Sequence, residues 1–329
     1  MNIRDVFDFT GGTIRPKEPY QIHDGDDDLV KFEKNLIQME VLLKWSYAAA
    51  ILIQMGILLE KRHQFDEAEE KYKMAQHIMA TERDPPELPF FGKHPSPYEK
   101  PLDTNILMAQ SFAGLGRIDI ERENFKNALE HRFAAIEFLK LVENPDEKTR
   151  DFHATMLFDA SAVLIHEEKN DLAIALLKEA IQKFQALDNT DLEALSTWRL
   201  AKIYGTRNDF SSARPLFERG TNLFIKMGNW GDAIQVNLTL IDLLQSNDKK
   251  NNIDEIKTIL GTMMDFIEKS HDIRIVEMVA DRLTRLSREN VTLTPWYDFI
   301  KKFISMCADS DLDNIVMMLE DVEMLLDDE

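Results

Sequence analysis

One order of small, large and aromatic residues recurs along this sequence, and it constrains the fold more than any other feature. In residues 51–75 the order is carried by Gly56, Leu59, Ala68, Tyr72 and Ala75. Residues 196–220 repeat it in register with Leu200, Ala201, Tyr204, Ala213, Phe217 and Gly220. Small residues at a helix crossing let two backbones approach, and an aromatic side chain fills the space between successive helix pairs. The pattern therefore predicts stacked antiparallel helix pairs, of which at least three are needed to bury a continuous core.

Two weaker copies lie between these segments and keep the same phase. Residues 111–135 contain Phe112, Leu115, Gly116, Ala128 and Ala135, although Arg132 stands at the aromatic position. Residues 157–180 contain Leu157, Leu164, Ala173, Leu177 and Ala180, with Ser161 where glycine or alanine is usual. The alanines of the second helices are separated by 60, 45 and 40 residues, so longer helices and one insertion are expected.

The four copies resemble the tetratricopeptide repeat, whose standard period is about 34 residues. The resemblance covers about 60% of the chain, residues 29–226. It implies an all-α fold, a right-handed superhelix of about six antiparallel helix pairs of the TPR-like α-solenoid type, with an acidic helix at the C-terminal end.

The remaining parts of the chain have different compositions. Residues 1–28 predict an irregular N-terminal segment, in which Asp27 or Asp28 caps the first long helix. The segment 84–101 holds six of the eleven prolines, so it predicts a loop inserted between the first and second pairs. Phe90 and Phe91 in this loop either dock a partner or fold back over the solenoid edge. Residues 227–308 are helix-periodic without the motif residues and predict degenerate helical pairs.

The segment 309–329 contains nine acidic residues and no basic one, around a helical stripe that includes Leu312, Leu319 and Leu326. Two placements are open for this predicted amphipathic helix. As a terminal cap it would cover the apolar edge of the last pair, which every solenoid must protect to stay soluble. As an autoinhibitory segment it would fold back onto basic residues in the concave groove. Chain continuity favours the cap.

Charge and composition exclude several classes of partner and location. The 39 basic and 59 acidic residues give a formal net charge of −20, which repels the phosphates of nucleic acids and of anionic membranes. Cys307 is the single cysteine, so an intrachain disulfide is excluded. Residues 1–20 carry charges throughout and contain no apolar stretch typical of an export signal. The uncharged stretch 45–59 is too short for a membrane span, which needs about 20 residues. We therefore expect a cytoplasmic protein.

No local motif indicates catalysis, a cofactor or a metal. The eight histidines include no pair three or four residues apart, as a zinc site on a helix would need. Gly114 and Gly116 match two glycines of a dinucleotide-binding motif, but Asp119 occupies the third place. Gly116 is instead the small crossing residue of the repeat. The sequence predicts a noncatalytic protein without a cofactor, although catalytic residues assembled by folding leave no local signature.

The repeat resemblance implies that the first helix of each pair lines a concave binding groove. Carried over by motif position, the groove residues are Ile53, Ile57 and Glu60 in the first pair, Gln110, Ala113 and Arg117 in the second, Thr155, Phe158 and Ala162 in the third, and Leu195, Trp198 and Lys202 in the fourth. This groove is largely apolar, and its two basic residues are Arg117 and Lys202. Such a surface suits an amphipathic helix better than an acidic peptide tail.

These observations predict an adaptor or regulator that binds a protein or peptide segment in its groove. Two other functions remain open, a self-associating structural module and an enzyme built on a helical-repeat scaffold. The apolar groove residues, among them Ile53, Ile57, Phe158 and Trp198, have a second interpretation as core residues of a closed superhelix. The sequence leaves the oligomeric state undecided.

Overall fold

The computed structural model describes residues 7–8, 15–16, 26–41, 43–82, 102–247 and 252–270, together with scattered positions between 276 and 305. Two short strands, β1 (Phe7–Asp8) and β2 (Arg15–Pro16), pair antiparallel. The helices are α1 (Asp28–Val41), α2 (Trp45–Lys61), α3 (Phe65–Thr81), α4 (Thr104–Glu121), α5 (Phe125–Lys140), α6 (Glu147–His166), α7 (Asn170–Ala186), α8 (Thr190–Thr206), α9 (Phe210–Lys226), α10 (Trp230–Asn247) and α11 (Ile253–Ser270).

Within the part of the chain that the structure describes, five helix pairs follow α1, and we number them pair 1 (α2 and α3) to pair 5 (α10 and α11). The prediction of an all-α helical-repeat fold is confirmed, with only the two-residue strands added to it. The predicted loop 84–101 and the predicted acidic helix 309–329 lie outside the described residues. A predicted sixth pair, at 273–306, is described only at scattered positions.

Short polar residues fix the starts of several helices. The carboxylate of Asp27 accepts a hydrogen bond of 2.9 Å from the Leu29 amide at the start of α1, so Asp27 is the cap. Asp103 and Asp146 accept amide hydrogen bonds of 2.8 Å at the starts of α4 and α6. Asp209 does the same for α9 at 3.2 Å. These side chains satisfy amide groups that have no partner within the helix.

Among the described residues, six of the connections between helices are three-residue turns with one shared geometry. In each of six such turns among the described residues, the middle residue has a left-handed backbone conformation, with φ between 52° and 73°. The following amide donates 2.7–3.0 Å hydrogen bonds to the carbonyl five residues earlier. This bonding pattern is the Schellman motif, which usually has glycine at the left-handed position. Here only one of the six is glycine, and the middle residues are His63, Glu123, Glu168, Asp188, Asn208 and Gly228.

We expect Glu168→Gly to stabilise the protein by about 0.5–1 kcal/mol. Glu168 has a φ of 57°, and a left-handed conformation costs a non-glycine residue about 1–3 kcal/mol, which exceeds the extra unfolded-state entropy of glycine. Chemical denaturation measures the change. Gly228→Ala is the matched control, since an added Cβ there meets no atom within 4 Å and its expected loss of stability is purely conformational. Equal stability of Glu168→Gly and the wild type contradicts the prediction.

The chain divides into two compact units, unit 1 (residues 1–179) and unit 2 (residues 180–329). The core of unit 1 centres on Tyr72 of α3, which is fully buried. A Cβ added at Gly56 would lie 2.7 Å from the Tyr72 ring, and one added at Gly114 would lie 2.3 Å from it. Tyr72 is therefore sandwiched between glycines of α2 and α4, and the aromatic position of pair 1 packs against pair 2.

The core of unit 2 contains the motif residues of the second strong repeat copy. Its buried side chains include Ala201, Ala213, Phe217 and Phe224, together with much of α10 and α11. A Cβ at Gly205 would lie 2.5 Å from Leu243, so α8 and α10 approach closely at this residue. Arg214 of α9 forms two 2.6 Å hydrogen bonds with Glu255 of α11, which links pairs 4 and 5 at the surface.

Candidate functional site

The first helices of pairs 1 and 2 meet at a hydrogen-bonded cluster of three side chains. Arg117 of α4 donates hydrogen bonds of 2.8 and 2.9 Å to the two carboxylate oxygens of Glu60 in α2. The Tyr72 hydroxyl donates to the same carboxylate and accepts a 3.3 Å hydrogen bond from Arg117. Arg117 is 42% exposed, whereas Glu60 is 14% exposed. The cluster therefore presents a guanidinium edge to solvent above a buried carboxylate.

The charges in this cluster keep Tyr72 and Arg117 protonated, so the cluster is suited to hydrogen bonding and not to proton transfer. Burial, followed by the hydrogen bond to Glu60, raises the pKa of the Tyr72 hydroxyl. Burial alone would lower the pKa of Arg117, but the hydrogen bonds and charge of Glu60 outweigh it and raise that pKa. Both groups therefore stay protonated near neutral pH. Arg117, predicted as a basic residue of the groove, is partly exposed, and Glu60 neutralises much of its charge.

An ion pair between a buried arginine and a partly exposed aspartate occupies the corresponding position one pair later. Arg132 of α5, which stands at the aromatic position of the repeat, is 3% exposed. Its Nη1 donates a 3.3 Å hydrogen bond to the Ala113 carbonyl and lies 3.4 Å from the Asp159 carboxylate of α6. Burial lowers the pKa of Arg132, and Asp159 opposes that shift, while a guanidinium remains charged in either case.

Arg132 and Asp159 occupy the repeat positions that Tyr72 and Gly114 occupy one repeat earlier. Gly114 stands two residues before Gly116, and Asp159 stands two residues before Ser161, at the equivalent site of the next repeat. The ion pair could therefore be predicted from the sequence. An arginine at the aromatic position of one repeat needs an acidic residue at the site that it packs against in the next repeat.

The other groove residues predicted in unit 1 differ in accessibility. Ile53, at 1% exposure, belongs to the core cluster, and Ala113 is also buried. Ile57 and Phe158 are half-buried. Gln110 and Thr155 are half-buried as well, and Ala162 is exposed. Within unit 1 the accessible part of the predicted groove thus includes Ile57, Arg117 and Phe158.

In unit 2 the predicted residues Leu195, Trp198 and Lys202 lie about one turn apart on α8. Leu195 and Trp198 are half-buried and pack against the core cluster, whereas Lys202 is exposed. The indole Nε1 of Trp198 is buried and has no hydrogen-bond partner within the described part of the chain. A buried indole N–H usually has an acceptor, so Trp198 combines an apolar surface with a donor that lacks one.

Potential metal ligands and close histidine–carboxylate contacts were located among the described residues. No group of three or more His, Cys, Asp and Glu side chains that could hold a metal occurs among them. His131 Nδ1 lies 2.6 Å from the carboxylate of the buried Asp119, next to the ring of Phe112. Of the helices described, none is long and apolar enough to cross a membrane.

No family model matches the sequence, and a search of curated proteins gave no match. Solved structures with this fold are found at low identity. The apo form of RapI has a TM-score of 0.56 and 13% identity, over 85% of this chain and 96% of that chain. Aspartyl phosphate phosphatase F from Bacillus subtilis has a TM-score of 0.52 and 11% identity, over 92% of this chain and 76% of that chain.

A third similar structure is PH0952 from Pyrococcus horikoshii, a STAND protein with a tetratricopeptide repeat sensor. Its TM-score is 0.56 and its identity 14%, over 88% of this chain but only 43% of that chain. At such identities the similarity concerns the fold alone. Together with the five helix pairs, these comparisons show that the chain has a tetratricopeptide-like helical-repeat fold.

Proposed function

We propose that this chain is a noncatalytic adaptor or regulator that binds a segment of another protein on the first helices of its pairs. The observation that carries the proposal is the stripe of Leu195, Trp198 and Lys202 on α8. It combines half-buried apolar side chains with an exposed lysine. The tetratricopeptide repeats of PH0952 are named as a sensor, which is consistent with a regulatory role.

Each residue of the stripe has a distinct part in the proposed complex. Leu195 and Trp198 supply apolar surface, and Lys202 pairs with a carboxylate. An amphipathic helix or peptide with an acidic residue at one end offers these groups. Buried tryptophans are frequent sources of binding energy at protein interfaces. Ile57, Arg117 and Phe158 form the corresponding surface in unit 1.

We expect Trp198→Phe and Lys202→Glu each to weaken partner binding by at least about fivefold, with little change in melting temperature. Phenylalanine retains an aromatic ring against the core and reduces the aromatic surface that the residue offers to the partner. The measurement is quantitative mass spectrometry of proteins captured from native lysate by the immobilised full chain. Lys257→Glu, which makes the same charge change on exposed α11, is the control. Capture profiles that match for wild type, both variants and the control contradict the proposal.

Self-association is the competing function, and light scattering coupled to size-exclusion chromatography separates the two. The proposal expects a chain whose mass stays monomeric across the concentrations used for capture. An oligomer that dissociates in Trp198→Phe or Lys202→Glu would assign the α8 stripe to contacts between copies of the chain.

A further inference from the structure

A cleft of about 670 Å³ runs along the face of α3 that points away from the core of unit 1. Its lining takes every third or fourth residue from Asp66 to Thr81, which is one continuous face of a helix about 25 Å long. Glu40 of α1 and Trp45 of α2 complete the lining. This surface belongs to the second helix of pair 1, so it is separate from the first-helix surfaces of the proposed function.

The rim of the cleft is acidic. Asp66, Glu69, Glu70, Glu82 and Glu40 contribute carboxylates. Asp66 and Glu69 form ion pairs with Arg122, and Glu69 also pairs with Lys73. These hydrogen bonds, that from Lys73 first, lower the pKa of Glu69, so it is ionised at neutral pH. Glu70 and Glu82 have no ion-pair partner within the part of the chain that the structure describes.

The lining between these carboxylates includes apolar side chains. Met74 is 37% exposed, and Trp45 and Ile78 are half-buried. An exposed methionine beside an aromatic ring is a soft, adaptable contact surface. The cleft thus combines an apolar strip with unneutralised negative charge, which is the complement of an amphipathic segment that carries lysines or arginines.

We propose that this cleft docks a basic amphipathic segment of a partner protein. An apolar residue of that segment packs against Trp45, Met74 and Ile78, and its basic residues face Glu70 and Glu82. Charge argues against an occupant from this chain, because no such segment has a clear basic excess. Residues 1–25 carry three basic and four acidic residues, residues 83–101 three of each, residues 271–308 six and five, and residues 309–329 none and nine. A second copy is also a poor occupant, since each copy has a net charge of −20.

The test uses a fluorescein-labelled synthetic helix of leucine and lysine, about 16 residues long to match α3. Fluorescence anisotropy gives its Kd for the full chain. The double variant Glu70→Gln, Glu82→Gln is expected to raise Kd about tenfold. The matched double variant Glu130→Gln, Glu137→Gln removes two exposed carboxylates from α5, outside the cleft, and is expected to change Kd by less than about twofold. Circular dichroism verifies that each variant is folded.

Two further measurements test the apolar contact. Met74→Ser is expected to raise Kd about fivefold. Any change in tryptophan emission on binding of an unlabelled copy of the peptide is expected to disappear in Trp45→Phe. Trp198→Phe and Lys202→Glu are expected to leave the Kd of this probe unchanged, so failure of this proposal and of the proposed function are distinguishable.

Three results would overturn the docking proposal. The first is an equal rise in Kd for both double variants, which would mean nonspecific attraction to an acidic protein. The second is equal binding of a peptide with glutamate in place of lysine. The third is the absence of binding by the lysine peptide at millimolar concentration.

Discussion

Gly114→Ala is expected to lower the free energy of unfolding by about 2 kcal/mol, although alanine is the better helix former. The new Cβ would lie 2.3 Å from the Tyr72 ring, and this ring cannot move aside because Gly56 packs on it and its hydroxyl is bonded to Glu60. Overpacking a core in this way costs up to about 3 kcal/mol, against a gain of about 1 kcal/mol in helix propensity.

Denaturation by guanidinium, followed by circular dichroism, measures this effect. The matched control is Gly261→Ala in α11, where an added Cβ meets no atom within 4 Å. This control is expected to gain up to about 1 kcal/mol from helix propensity alone. Opposite signs for the two substitutions support the close packing of pairs 1 and 2, whereas a stabilising Gly114→Ala would show that the ring is free to move.

The second large effect concerns the ion pair of Arg132 and Asp159. Asp159→Gly is expected to cost about 3 kcal/mol, because it leaves the Arg132 guanidinium buried without its carboxylate and places glycine inside α6. Arg132→Phe alone is expected to destabilise as well, since the Asp159 carboxylate loses its cation and meets a ring. The double variant, Arg132→Phe with Asp159→Gly, recreates the arrangement of Tyr72 and Gly114. Its free energy of unfolding is therefore expected to exceed, by at least about 2 kcal/mol, the value obtained by adding the effects of the two single substitutions.

A double-mutant cycle from denaturation curves measures this coupling. Phenylalanine is the appropriate replacement because a tyrosine hydroxyl at residue 132 would lack partners. The positions that correspond to Glu60 and Arg117 are Ile120 and Ala162 in the next repeat. Additive effects of the two substitutions would show that Arg132 and Asp159 do not interact.

The helix pairs could be predicted from the sequence because their signal is local. Small residues at helix crossings and the period of apolar positions are visible in any window of the chain, and the alanines at 68, 128, 173 and 213 are all fully buried. The left-handed conformations in the turns were harder to predict from the sequence. Glu123 and Glu168 adopt left-handed conformations that glutamate disfavours, because the packing of the two flanking helices determines the turn.

Contacts between pairs were harder to predict, since they depend on residues far apart in sequence. Gly116, the expected small crossing residue, does face α5, where an added Cβ would lie 3.4 Å from the Ala128 carbonyl oxygen, but the tighter contact with pair 1, Gly114 against Tyr72, was not expected. Transfer by motif position likewise assigned Ile53 to the groove, and the structure buries it.

The acidic cleft on α3 was missed for a different reason. With 59 acidic residues in the chain, a cluster of carboxylates carries little information in sequence alone. A usable signal was present in the periodicity of α3. Ala68, Tyr72 and Ala75 mark its buried face, so the acidic residues and Met74 at intervening positions had to lie on another face.

The two contacts at the aromatic position differ in chemistry, and this difference specifies the order of the pairs. Tyr72 requires a glycine opposite it, whereas Arg132 requires a carboxylate. If pair 1 stacked on pair 3, Tyr72 would meet Asp159, and this partly buried carboxylate would lose its cation. If pair 2 stacked on a second copy of itself, the Arg132 guanidinium would face Gly114. Repeats that otherwise share one architecture thus differ in the residues at their contacts. This difference disfavours mispairing of helix pairs during folding and exchange of pairs between chains.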